Sequence, residues 1–234
     1  MKYKTGCLIC GKELVYLKNT DKKECCYCLK KYESNATCID GHFVCDKRHS
    51  LPANDFIEQT CINSKLDDPL ALSLILMKNS KIKMHGPEHH FLVSAVLLTA
   101  YYNIREERGK KENKIKESRN RAEKILGGFC GSHGICGAAV GTGIFISLIT
   151  DAKPLSETNW KLSNQITAEN LLTIAEWGGP RCCKRDTFLA IIGAVEFLRK
   201  HFGFTMNIKK DIKCEFTKLN KECKKKDCMF YAYN

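Results

Sequence analysis

Apolar and polar positions divide the chain into two regimes. Up to about residue 50 apolar side chains are scarce, and Leu14, Val15, Leu29 and Phe43 are too few to build a core. From Leu51 onward they recur at helical spacing. Pro52 and Asp55 open a short helix to about Asn63. Asp67-Asp68-Pro69 is a start signal, with carboxylates ahead of the first turn and proline inside it; Leu70, Leu72, Leu74, Ile75 and Met77 then make a buried helix. Pro87 and Glu88 open the next helix, apolar on most faces from Phe91 to Ile104 and therefore central. Further helices are predicted over 135–149, 157–166, 168–177 and 184–202, with Ser156 and Thr167 as caps and Gly203 as the last stop. Gly137-x3-Gly141 allows a neighbouring helix to pack backbone to backbone. Residues 204–208 read as one short strand. The predicted fold is mostly α: a zinc-ribbon-like module (1–50), an α-helical domain (51–208), and a cysteine-containing basic tail (209–234) packed on the body.

Residues 105–124 carry nine Lys/Arg against five Asp/Glu. This reads as a solvated helix laced by i,i+4 pairs such as Glu106–Lys110 and Glu112–Lys116. A nucleic-acid stripe is the weaker reading, because no aromatics interleave the charges. The formal charge of +12 overstates the field. Each four-thiolate divalent site carries about −2, since its ligands deprotonate on binding. No stretch reads as a membrane span; the best candidate, 134–150, is too short. The first residues lack the apolar core of a signal peptide, which predicts a cytoplasmic protein.

Fifteen cysteines at short spacings, without a secretion signal, point to metal ligands or reactive thiols rather than disulfides. Cys7-x2-Cys10 and Cys25-x2-Cys28 suit one tetrahedral structural Zn2+. Cys38, His42, Cys45 and His49 suggest a second ion, with ordinary surface histidines as the equal alternative. In the tail, Cys214, Cys223 and Cys228 precede an aromatic cluster, so the tail is expected to fold back, closing a third metal site or capping the body.

Two glycine-rich turns carry the candidate chemistry. Residues 127–143 hold seven glycines with Cys130, His133 and Cys136. Gly178-Gly179-Pro180-Arg181-Cys182-Cys183 opens the last helix, where helix N–H groups and the cations Arg181, Lys184 and Arg185 favour thiolate. The four thiols together are read as holding an iron–sulfur cluster or second metal, or as a redox or sulfur-transfer relay. His85, Glu88 and His89, beside His90, are candidate ligands or proton carriers, although the His-Glu-x-x-His protease pattern is not met. Arg181, Arg185 and His133 are candidate groups for an anionic substrate.

Cys7-Leu-Ile-Cys-Gly-Lys-Glu-Leu, Asp40-Gly-His-Phe-Val-Cys-Asp, His85-Gly-Pro-Glu-His-His, Gly127-Gly-Phe-Cys-Gly, Cys136-Gly-Ala-Ala-Val-Gly, Gly178-Gly-Pro-Arg-Cys-Cys-Lys-Arg and Cys214-Glu-Phe together resemble the uncharacterised domain-of-unknown-function family 5714 over nearly the whole chain. The family pattern carries a further cysteine where this chain has Arg48, which leaves the second N-terminal site to His49. The resemblance implies an anaerobic setting and an association with radical-SAM enzymes, and no reaction; the expected partner is a radical-SAM or methyl-transfer protein. The reading is therefore a metal-binding protein with a Cys/His site for metal- or thiol-dependent chemistry (redox, sulfur or methyl transfer). The competing reading is a zinc-ribbon module that grips nucleic acid or acts as an adaptor without turnover.

Overall fold

A computed structural model describes residues 7, 9, 10, 12–45, 53–209 and 211–232. The N-terminal module is an antiparallel pair, β1 (Leu14–Glu24) and β2 (Lys31–Cys38), with register running from Leu14 opposite Cys38 to Glu24 opposite Lys31. The pairing is irregular between residues 16 and 21. The helical body follows as α1 (Ala53–Asn63), α2 (Pro69–Met77), α3 (Glu88–Ile104), α4 (Arg108–Ala122), the short α5 (Phe129–Ser132), α6 (Gly137–Ile149), α7 (Thr158–Glu176) and α8 (Cys183–Phe202). No helix among the described residues is long and apolar enough to cross a membrane.

Helix α3 is the axis, packed against α1, α2, α4, α6 and α8. The all-round apolar pattern over Phe91–Tyr102 demands this, because such a helix has no face to give to water. Asp68 caps α2 as expected: its Oδ1 accepts from the backbone N–H of Leu70 at 2.8 Å and of Ala71 at 3.0 Å. Gly203 ends α8 in the left-handed region at φ 61°. The glycines of α6 let α3 close on it. A Cβ at Gly141 would meet the His90 carbonyl oxygen at 2.8 Å, and one at Gly137 would run into the His90 ring.

Four local expectations are corrected. The two helices read over 157–177 are one, α7; Thr167 does not cap it but returns its hydroxyl to the Ser163 carbonyl at 3.0 Å. The residue before that helix is Glu157, and Ser156 instead accepts from the Lys153 N–H in the preceding turn. Residues 204–208 form no strand. In α4 the pair Glu112–Lys116 forms at 2.6 Å, but Lys110 turns to Glu107 rather than Glu106. Lys111 points inward from this charged helix, donating to the Ser64 carbonyl and to Asn103 Oδ1, each at 2.9 Å.

The tail does fold back. Cys214 and Tyr231 form a parallel bridge, the Cys214 N–H donates to the Phe230 carbonyl at 2.6 Å, and Phe216 and Phe230 enter the core. The N-terminal module meets the body through Tyr27, whose ring stands edge-on to Phe56 of α1 at 4.4 Å.

Candidate functional site

The cysteine knuckles of the N-terminal module interleave. Ligand atoms of Cys7, Cys10, Cys38 and His42 all lie within 4.8 Å of one another, and so do those of Cys25, Cys28 and Cys45. Both sets could hold a metal ion. The expected grouping of Cys7, Cys10, Cys25 and Cys28 is thereby overturned, and the second expected set is split between the two sites. The cause is the strand pairing: β2 ends beside the start of β1, so Cys38 joins the first knuckle, while Cys25 and Cys28 sit at the turn. The chain then runs back, and the Cys45 N–H reaches Cys25 Sγ at 3.5 Å. His49 lies outside the described residues.

The first set fits an ion on its own chemistry. His42 Nδ1 is buried without a hydrogen-bond partner among the described residues, as a nitrogen reserved for a metal would be. Burial opposes ionisation of Cys38, but the Asp40 N–H, His42 and the neighbouring thiols bring it down to about 7. Backbone N–H groups of Ile9 and Asp40 approach the sulfurs of Cys7 and Cys38, each at 3.4 Å.

In the body, the two glycine-rich turns and the start of α3 enclose a cavity of about 360 Å³. Cys130 comes from α5, Cys136 is the N-cap of α6, and Cys183 is the first residue of α8. All three line the cavity, with His85, His89, His90 and Asp186 on its walls and Arg181 beside them. The exposed Arg181 guanidinium lies 4.0 Å from Cys130 Sγ. A second hollow, about 580 Å³, continues past Arg181 toward Gly178 and α7. Ligand atoms here are not gathered within 4.8 Å as in the N-terminal sets. The cavity is a chamber with reactive groups on its walls, not a closed ion cage.

Cys182 departs from the expected set. It lines a different hollow on the other side of the α8 start, together with Cys214, Cys223 and Cys228 of the tail. The expected thiolate character is also corrected. Burial pushes the thiols of Cys136, Cys182 and Cys183 up to about 11 each, and Asp186 adds to it. Desolvation outweighs the helix-start N–H groups and the cations.

The other candidates separate cleanly. His89 is buried, and both ring nitrogens are engaged, Nδ1 with Thr187 Oγ1 at 3.0 Å and Nε2 with the Lys83 carbonyl at 3.2 Å. Burial, reinforced by Lys184, holds its pKa down at about 3. Glu88 does not line the cavity; its carboxylate accepts from the Lys83 N–H at 2.7 Å and closes the turn before α3. Arg185 is buried in an ion pair, Nε to Asp186 Oδ1 at 3.0 Å, and donates to the Gly178 carbonyl. His133 is exposed, stacked on Phe129 and bonded to Ser132 Oγ. By contrast, His85 donates Nε2–H to Asn220 Oδ1 at 3.3 Å, and its Nδ1 is buried without a partner among the described residues.

Two further residues line the cavity: His90, read with the histidine cluster but not assigned a role, and Asp186, which the sequence reading did not single out. His90 donates Nδ1–H to the Ile125 carbonyl at 3.2 Å, which leaves the lone pair of the neutral ring on Nε2; burial lowers its pKa. Its place directly before the apolar run of α3 is a signal that could have found it. Asp186 lies one turn into α8, and burial raises its pKa against the pull of Arg185. Lys184, between the two hollows in sequence, is buried: it donates to the Met77 and Ile82 carbonyls and lies 5.0 Å from the Phe216 ring centre, with burial lowering it to about 8.

No curated protein and no solved structure matches this chain. The family model that does match covers residues 57–231, so it takes in the helical body from within α1, the three hollows and most of the tail, and begins after the knuckle module. On that match the chain belongs to a family of unknown function, DUF5714.

Proposed function

We propose that this chain is a metal-stabilised thiol protein whose cavity takes up a small anionic ligand for redox, sulfur-transfer or methyl-transfer chemistry. What supports the reading is one convergence: three thiols from three segments face two imidazoles that retain lone pairs, His85 on Nδ1 and His90 on Nε2, beside an exposed guanidinium. Cys130, Cys136 and Cys183 would bind a soft metal or the substrate's sulfur or carbon, the histidines would accept and return protons, and Arg181 would hold the anion. In the N-terminal sets, three thiols and an imidazole in the first and three thiols in the second, gathered within 4.8 Å, suit zinc, which would supply folding energy there rather than chemistry. The nucleic-acid reading is weaker because α4 spends cations internally: Lys114 on Asp151, Arg119 on Asp55, Glu58 and Glu123, and Arg121 on Glu117.

Anion-steered alkylation tests the proposal. In the wild type, Cys130 is labelled by iodoacetate, relative to uncharged iodoacetamide, several-fold more readily than glutathione is, because a nearby cation concentrates the anion. Arg181→Gln removes that preference. An unchanged iodoacetate-to-iodoacetamide ratio in the variant would defeat the anion-binding role.

A further inference from the structure

We propose that Cys182, Cys214, Cys223 and Cys228 hold an iron–sulfur cluster, at a site separate from the cavity above. The four come from two segments of chain. Cys182 is the N-cap of α8. Cys214 begins the returning tail, and Cys223 and Cys228 flank the 3-10 turn Lys225–Asp227. The Cys214–Tyr231 bridge and the Tyr231 N–H to Cys228 carbonyl bond at 3.0 Å tie the two ends of the tail segment together. All four line one small hollow whose other walls are the apolar Met84, Phe188, Phe216 and Phe230 together with polar residues, among them Arg185, Asn220 and Lys224.

The surroundings of the sulfurs are those of ligands. The Phe216 N–H donates to Cys214 Sγ at 3.4 Å and the Lys225 N–H to Cys223 Sγ at 3.3 Å. These are the same two-residue N–H···S turns seen at Cys7 and Cys38 in the N-terminal knuckles. Asn220 Nδ2 donates to Cys182 Sγ at 3.7 Å. Such hydrogen bonds stabilise metal-bound thiolate and tune a cluster.

Spacing selects the kind of centre. Four thiolates on a single tetrahedral zinc lie about 3.8 Å apart, from Zn–S bonds of about 2.3 Å. Among the described residues the sets gathered within 4.8 Å are the two N-terminal ones, and no three of these four sulfurs are among them. Four soft ligands spread around one hollow suit a polynuclear cluster, which takes four cysteines. Four thiolates also bring negative charge, and the same tail carries Lys213, Lys218, Lys221, Lys224, Lys225 and Lys226 in sequence, of which Lys224 lines the hollow with Arg185. That accounts for a lysine-rich tail that nevertheless folds.

The full chain is purified without oxygen, reconstituted with ferrous iron and sulfide, and assayed for iron, acid-labile sulfide and visible absorption. The wild type and a Cys130→Ser/Cys136→Ser variant both carry the brown chromophore; a Cys223→Ser/Cys228→Ser variant loses at least nine-tenths of it while keeping the helical circular dichroism. Should the tail variant fail to fold, alkylation of the wild type replaces it: with the cluster in place Cys182, Cys214, Cys223 and Cys228 are protected and Cys130 is labelled, and chelation exposes all four. Absence of any chromophore, a chromophore lost with Cys130 and Cys136 instead, or zinc without iron at the tail cysteines each overturns the proposal.

Discussion

Cys25→Ala/Cys28→Ala leaves the helical body folded and abolishes the order of the strand pair. Among the described residues of the module the buried apolar ones are Cys7, Ile9, Cys25, Tyr27, Cys28, Cys38 and Cys45; five of the seven are cysteines in the two ligand sets. Without metal, Ile9 and Tyr27 are nearly the whole core, far short of what an independent fold of this size needs. A structural zinc would contribute roughly 10–16 kcal/mol of apparent binding energy at neutral pH, as much as the whole stability of a typical domain, so losing one site is enough to unfold the module. Limited proteolysis reads this directly. Cleavage within residues 12–45 rises at least tenfold in the variant while the helical circular dichroism falls little. Equal protection in both proteins would mean that the strand pair stands without its ions.

Gly141→Ala is the second large effect, and it falls on the body. Its Cβ would lie 2.8 Å from the backbone carbonyl oxygen of His90 and 3.1 Å from Val93 Cβ. A flexible side chain could move aside, but a helix backbone in the centre of the core cannot, so α3 and α6 must part. Overpacking of this kind costs about 1–3 kcal/mol, and it displaces His90 and the mouth of the cavity. Gly131→Ala is the control, since nothing lies within 4 Å of its Cβ. Urea unfolding of the two variants compares them. A Gly141→Ala midpoint equal to that of the wild type would show that the contact yields cheaply.

Much of the fold was legible because its signals are local. The Asp68 cap, the Gly203 stop, the apolar run of α3 and the glycine spacing of α6 each act within one or two turns. What was missed depends on pairing between distant segments. Short cysteine spacing marks knuckles but does not say which knuckles share an ion; that is set by the β1–β2 register, which places Cys38 beside Leu14. Adjacent residues at a helix start diverge by about 100°, so Cys182 and Cys183 enter different hollows although they read as one pair. His89 and His90 both border the cavity, but both ring nitrogens of His89 are taken up, by Thr187 and the Lys83 carbonyl, whereas among the described residues His90 engages only Nδ1, with the Ile125 carbonyl. Thiol acidity was misjudged because helix ends and cations are visible in a sequence, whereas the burial that raises Cys182 and Cys183 is not.

The central claim is that Cys130, Cys136 and Cys183 face one another across a single chamber. Dibromobimane, which becomes fluorescent when it bridges two nearby thiols, measures that in the folded full chain, with peptide mass spectrometry to locate the bridge. The structure predicts bridges within this set, foremost Cys136 to Cys183, and loss of that bridge in Cys136→Ser. Bridges confined to the knuckles and the tail, with these three cysteines labelled singly or not at all, would contradict it.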